Sequence, residues 1–139
     1  MKLSRRDALW AGLGGIAAAT LSNPAFAATV DELTKDFTGG ATASAEGITI
    51  TAPEIAENGN TVPVSVTAPG AVAIMLLAAG NPTPAVATFT FGPAAGSQMA
   101  ATRIRLAATQ DVIALAKMAD GSIRQASTTV KVTIGGCGG

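Results

Sequence analysis

The chain has 139 residues, of which 48% are hydrophobic and 13% are charged, and it carries nine basic and nine acidic residues. This length predicts one domain, and the balanced charges give no basic stripe of the kind that nucleic-acid binding requires. Histidine is absent, which removes the commonest general base and metal ligand and excludes a Cys–His nucleophile pair. We therefore expect a protein that is not an enzyme and that holds no metal or other cofactor.

Residues 1–27 predict a cleaved export signal. Residues 1–6 form a basic start with Lys2, Arg5 and Arg6, residues 8–21 are apolar, and residues 25–27 form a small-x-small cleavage site. The apolar stretch is too short and too rich in alanine and glycine to span a membrane well. We therefore expect a periplasmic protein with no membrane attachment after cleavage, although a transmembrane anchor stays open as an alternative.

Arg5 and Arg6 indicate the export route. They lie in the run 4–9 (SRRDAL), which is similar to a twin-arginine signal, although Ala8 replaces the usual phenylalanine. Twin-arginine export carries folded proteins, and this chain offers no cofactor ligands that would explain that route. A second possible reason is a partner that binds in the cytoplasm and is exported together with this chain. An ordinary Sec signal with two adjacent arginines is the alternative.

Residues 28–45 predict a short amphipathic helix of about two turns followed by a linker. Thr29 and Glu32 have the spacing of a capping box, and Gly39-Gly40 ends the helix. Its apolar residues at helical spacing are Val30, Leu33 and Phe37. The helix either caps one end of the domain or contacts a partner, and the sequence favours neither role.

Residues 46–134 predict an all-β, immunoglobulin-like sandwich of two sheets and about seven short strands. Apolar residues alternate with polar ones, for example along residues 61–67, and turns such as Gly80-Asn81-Pro82 separate the strands. Asp120-Gly121 predicts a type I′ hairpin between the last two strands. The last strand is expected to extend to Ile134.

Residues 135–139 predict a flexible arm that presents one thiol. Cys137 is the only cysteine, and it is flanked by two glycines on each side: Gly135, Gly136, Gly138 and Gly139. Glycines leave the backbone mobile and leave no side chain to block a narrow channel. From Ile134 the arm would give Cys137 a reach of roughly 10 Å, at about 3.3 Å per residue.

Four interpretations of Cys137 compete. The cysteine could be incidental, it could form an intermolecular disulfide in an exported binding or scaffold domain, or it could carry sulfur covalently. In the fourth, Gly139 would carry sulfur as a thiocarboxylate, which the export signal and the sandwich pattern oppose.

Nothing on the arm activates the thiol of Cys137, because the closest cation in the sequence is Lys131 and the terminal carboxylate disfavours the thiolate. An unactivated thiol suits a carrier whose chemistry belongs to partner enzymes.

The tail resembles that of the SoxY family of periplasmic sulfur carriers, in which the cysteine of a terminal GGCGG carries sulfur intermediates. The segments 53–64, 105–112, 117–121 and 130–134 are also similar to strands of that family. The resemblance covers essentially the whole chain and implies an immunoglobulin-like sandwich.

The resemblance also implies a function and partners. It implies a non-catalytic carrier of the thiosulfate-oxidising (Sox) system, with sulfur attached to Cys137, that forms a heterodimer with a SoxZ-like sister subunit. The expected enzymes are a c-type cytochrome that couples thiosulfate to the cysteine and a manganese hydrolase that releases sulfate. A molybdenum-dependent sulfur dehydrogenase is a further expected partner. The metals belong to those partners, not to this chain.

Overall fold

In the computed structural model, which describes residues 28–135, one helix precedes nine strands. The helix is α1 (Val30–Thr38), and the strands are β1 (Ala43–Ser44), β2 (Thr49–Thr51), β3 (Ile55–Ala56), β4 (Val62–Thr67), β5 (Ala71–Ala78), β6 (Ala85–Thr90), β7 (Met99–Ile104), β8 (Gln110–Met118) and β9 (Ile123–Val132). Of the strands in this part of the chain, β1 and β3 have only two residues each, so the longer strands match the expected number.

Helix α1 begins and ends where the sequence predicts. The Thr29 hydroxyl accepts a hydrogen bond from the Glu32 amide at 3.3 Å, and Glu32 Oε2 accepts one from the Thr29 amide at 2.8 Å, which completes the capping box. Gly39 ends the helix in the left-handed conformation, with φ at 65°. Lys117 Nζ on β8 lies 5.2 Å from the centroid of the Phe37 ring, so this helix contacts the larger sheet. Among residues 28–135, no helix has the length and apolarity needed to cross a membrane.

The strands form two sheets. The larger has the order β1–β9–β8–β5–β6, with β3 also paired to β9, and the smaller has the order β2–β4–β7. All pairs are antiparallel except those of β1 and β3, which run parallel to β9. The short strands β1 and β3 therefore pair with the outer edge of β9, and the last residues of β9 lie beside β3.

The core lies between the two sheets and follows the period-2 pattern of the sequence. On β4, Val62, Val64 and Val66 are buried while Pro63 and Thr67 are exposed. The larger sheet contributes Ile74, Leu76, Val112 and Val130 to the same cluster, and all four are fully buried. The predicted all-β, immunoglobulin-like sandwich is confirmed.

The β8–β9 hairpin lies where it was predicted, but the predicted type I′ turn is wrong. A type I′ turn needs positive φ at both central residues, and among residues 28–135 only glycines have positive φ. Gly121 has φ of 85°, its amide donates to the Met118 carbonyl at 3.0 Å, and the Met118 amide donates to the Ser122 carbonyl at 2.9 Å. This is a three-residue loop closed by a left-handed glycine, in which Asp120 keeps an ordinary negative φ.

Candidate functional site at the base of the carboxy-terminal arm

The structure locates the base of the arm that carries the predicted thiol. Of the predicted arm residues, Gly135 is described, while Cys137 and the other arm glycines, Gly136, Gly138 and Gly139, lie outside the described residues. Arg5 and Arg6 of the export signal lie outside them as well. Their predicted roles stay predictions, whereas the segment from which the arm leaves the sandwich is described in full.

Strand β9 ends at Val132, before the expected Ile134, but residues 133 and 134 remain hydrogen-bonded. The Thr133 amide donates to the Ala56 carbonyl at 3.0 Å, and the Gly59 amide donates to the Ile134 carbonyl at 2.7 Å. The ladder stops because β3 ends at Ala56 and is followed by a turn. Ile134 is therefore held by an amide of that turn, while its side chain is 68% exposed.

Gly135 lies against the backbone of a second loop, which comprises residues 105–109. The carbonyl oxygen of Ala107 occupies the space that a Cβ atom at Gly135 would take. The same loop accepts a hydrogen bond from β9, because the Val132 amide donates to Thr109 Oγ1 at 2.9 Å. We call residues 133–135 the arm base, which contacts the turn after β3 on one side and loop 105–109 on the other.

Two buried side-chain amides shape loop 105–109. Asn81 and Gln110 are each only 7% exposed. Asn81 Nδ2 donates to the Arg105 carbonyl at 2.8 Å, and Asn81 Oδ1 accepts from the Ala107 amide at 2.9 Å. Gln110 Nε2 donates to Asn81 Oδ1 at 2.8 Å and to the Ala108 carbonyl at 3.0 Å. The loop backbone on both sides of the Gly135 contact is therefore fixed from inside the protein.

Two carboxyl groups have a lowered pKa, and both lie away from the arm base. The pKa of Glu32 is lowered by the hydrogen bond from the Thr29 amide and then by the Thr29 hydroxyl. The pKa of Asp120 is lowered mainly by the Ser122 hydroxyl and amide, in the hairpin at the far end of β8 and β9. Both effects are explained by local capping and turn structure, so they do not mark a catalytic group.

The described residues offer neither a metal site nor an acid–base pair in a cleft. Within residues 28–135, no three His, Cys, Asp or Glu side chains are grouped closely enough to hold a metal ion. A shallow groove of about 630 Å³ lies on the smaller sheet, between residues 51–53 and strands β4 and β7. Arg103 is the only ionisable side chain that lines this groove.

Sequence reasoning missed the residues that hold the arm base. It assigned Asn81 and Gly59 to ordinary turns and gave Gln110 no role. A buried amide has the same sequence signature as an exposed one, because both are polar residues next to a strand. The signal that could have suggested them is the position of Gln110 at the start of an otherwise apolar strand, β8.

Comparison with known proteins gives the family. The family model described as Sulfur oxidation protein SoxY matches residues 34–137, a span that includes Cys137. The chain belongs to the SoxY family. A similar solved structure is the sulfur carrier protein SoxY from Chlorobium limicola f thiosulfatophilum, with 34% identity and a TM-score of 0.66. The match covers 76% of this chain and 97% of that one.

Superoxide reductases share the fold. The superoxide reductase (neelaredoxin) from Ignicoccus hospitalis has 18% identity and a TM-score of 0.55, over 77% of this chain and 95% of that chain. A putative superoxide reductase from Thermotoga maritima has 19% identity and a TM-score of 0.52, over 77% and 94% of the two chains. At these identities the likeness concerns the sandwich alone. No curated protein matches the chain.

Proposed function

We propose that this SoxY-family chain is the covalent sulfur-carrier subunit of a periplasmic thiosulfate-oxidising system, and that Cys137 holds the sulfur. The observation that carries the proposal is the family match, which runs through the sandwich to Cys137. The similarity to a sulfur carrier protein along nearly all of that protein's length supports it. The arm base supports it too, because the chain leaves the sandwich only two residues before the sole thiol.

The chain acts as a carrier and a substrate, and its partners supply the chemistry. Coupling to thiosulfate forms the S–S bond of a Cys–S–SSO₃⁻ adduct and releases one proton and two electrons, which a c-type cytochrome accepts. Hydrolysis of the adduct by a manganese enzyme then consumes one water, releases sulfate and a proton, and leaves a persulfide on Cys137. A molybdenum-dependent dehydrogenase would oxidise that remaining sulfur. A SoxZ-like sister subunit stays bound to this chain as its heterodimer partner.

Export through the twin-arginine route places the carrier in the periplasm. The support is the Arg5-Arg6 pair together with the small-x-small site at residues 25–27. Fractionation of cells that carry Arg5→Lys, Arg6→Lys tests the route. We expect both this chain and its sister subunit to be lost from the periplasm, and normal export of the variant would contradict the proposal.

Intact-mass spectrometry of the periplasmic protein tests the carrier function. After incubation with thiosulfate and an extract that supplies the partner enzymes, we expect persulfide and thiosulfonate adducts that dithiothreitol removes. Cys137→Ser is the matched control, since it should fold normally, bind the sister subunit and carry no adduct. A stable disulfide to another protein, with no sulfur adduct, would instead indicate a crosslinked scaffold domain.

A further inference from the structure

The arm base is held by a chain of contacts that begins at the two buried amides. Asn81 Oδ1 accepts a hydrogen bond from the Ala107 amide, and the Ala107 carbonyl lies against Gly135. On the other side, the Leu106 amide donates to the Gly59 carbonyl at 2.8 Å, and the Gly59 amide donates to Ile134. Both faces of the arm base therefore depend on loop 105–109, either by direct contact or through Gly59.

Asn81 and Gln110, which we call the amide cluster, direct most of their hydrogen bonds to this loop. Gln110 Oε1 accepts from the Gly80 amide at 2.9 Å, while Gln110 Nε2 donates to Asn81 and to the Ala108 carbonyl. One hydrogen bond joins the two side chains, and backbone groups pair with their remaining polar atoms, so both side chains stay hydrogen-bonded although they are buried. Loss of either amide would leave a buried carbonyl or amide of the loop unpaired, which favours rearrangement of the loop.

Placement of the arm base matters because the arm beyond it is short. Cys137 is the second residue after Gly135, so a fully extended chain carries it no more than about 7 Å from that point. If the chain frayed back to Val132, five residues would separate Cys137 from the fold, and the reach would grow to about 17 Å. The thiol would then sample a much larger volume, and its effective concentration at a docked enzyme would fall.

We propose that Asn81 and Gln110 are positioning residues of the carrier arm: their side-chain amides fix loop 105–109, and through Ala107 and Gly59 this loop sets where and in which direction the arm leaves the sandwich. The functional part of this inference rests on the proposed carrier function. The structural part does not, and it is tested by a measurement that requires no sulfur chemistry.

Amide hydrogen exchange by NMR on the full mature chain tests the structural part. In Asn81→Ala we expect the amides of Gly59 and Val132, which bond Ile134 and Thr109, to exchange about tenfold faster, the effect of losing one buried hydrogen bond. Amides in the centre of β5 and β8 should exchange within about twofold of wild type. Unchanged exchange at Gly59 and Val132 would overturn the proposal.

Two further variants separate positioning from general destabilisation. Gly135→Ala acts on the arm side of the contact and alters neither Asn81 nor Gln110, so it should speed exchange at Gly59 and leave the β5 and β8 amides unchanged. If Asn81→Ala does not fold, Gly135→Ala still tests whether the contact with loop 105–109 holds the arm base. Leu76→Ala destabilises the core on β5, a strand that is separated from β9 by β8. If Leu76→Ala loosens the arm base as selectively as Asn81→Ala does, the amides have only a structural role.

Enzyme-coupled thiosulfate oxidation tests the functional part on the same samples. The apparent kcat/KM for the carrier should fall about tenfold in Asn81→Ala and Gly135→Ala, in line with the exchange effect. The rate at which a small maleimide labels Cys137 should stay within about twofold of wild type. Turnover equal to wild type, with faster exchange at Gly59, would overturn the proposal that Asn81 and Gln110 position the arm for the partner enzymes. If wild type itself forms no sulfur adduct, the carrier function fails, and the exchange result still decides whether the amides hold the arm base.

Discussion

Gly135 and Ala107 are in direct backbone contact, because the Ala107 carbonyl oxygen fills the place where a side chain at residue 135 would begin. The glycine in the sequence motif is therefore required by packing at this position. The flexible-arm interpretation treats Gly135, Gly136, Gly138 and Gly139 alike, whereas the structure gives the first of them a separate reason to be glycine.

Gly80→Ala should destabilise the Asn81–Gln110 pair by displacing the Gln110 side chain. A Cβ atom at residue 80 would lie 2.9 Å from the Gln110 Cβ, so Gln110 must move and lose hydrogen bonds to Gly80 and Asn81. We expect the free energy of unfolding to fall by about 1–3 kcal/mol. Urea denaturation measures the loss. Gly92→Ala is the matched control, since a Cβ there meets no atom within 4 Å, and an equal effect in both variants would contradict the prediction.

Gly121→Ala should destabilise the β8–β9 hairpin. Gly121 has φ of 85°, a conformation that costs alanine about 1 kcal/mol, while no neighbouring atom lies within 4 Å of a Cβ at this position. The expected loss in unfolding free energy is therefore about 1 kcal/mol and comes from the backbone alone. Chemical denaturation of Gly121→Ala beside Gly96→Ala, whose site is also open, measures it. No difference between the two variants would show that the loop relaxes without cost.

The sequence was sufficient for the features that depend on local pattern. Alternation along β4 predicted which valines enter the core, and the spacing of Thr29 and Glu32 predicted the helix cap. Asp120-Gly121 predicted the hairpin but not its turn type, because Asp-Gly also suits a three-residue loop whose glycine alone is left-handed.

The arm base could not be predicted, because it depends on contacts between residues that are distant in the sequence. Asn81 bonds loop 105–109, and Ile134 bonds the turn that contains Gly59. Neither contact leaves a periodic pattern in the chain. The place where β9 ends is set in the same way, by the end of its neighbour β3 at Ala56 rather than by any signal around Ile134.

Thr29→Ala should raise the pKa of Glu32 only in part. The Thr29 amide is the larger cause of the lowered pKa and remains in the variant, whereas the hydroxyl is lost. A lowered folded-state pKa means that the interaction stabilises the helix above the ordinary carboxyl pKa and is lost as the pH falls through the folded-state value. NMR titration of the Glu32 side chain measures the pKa in both proteins. A full return to the ordinary value in Thr29→Ala would mean that the capping box forms only when the hydroxyl is present.

Valine at Gly136 and Gly138 should separate access of the thiol to partner enzymes from its chemical reactivity. Valine adds a β-branched side chain on each side of Cys137 and stiffens the backbone there. Both positions lie outside residues 133–135 in the sequence, so exchange at Gly59 should match wild type, in contrast to the expected effect of Gly135→Ala. Thermal stability should change little, since surface substitutions are usually within about 0.5 kcal/mol.

A small maleimide should still label Cys137 in the valine variant, but turnover by the partner enzymes should fall sharply, because a confined active site must accept the side chains beside the sulfur. Labelling and enzyme-coupled thiosulfate oxidation are measured on the same variant, with the serine pair Gly136→Ser, Gly138→Ser as a control of smaller volume. If the valine variant keeps both activities, these two glycines provide flexibility only, and access to the enzymes does not depend on their lack of side chains.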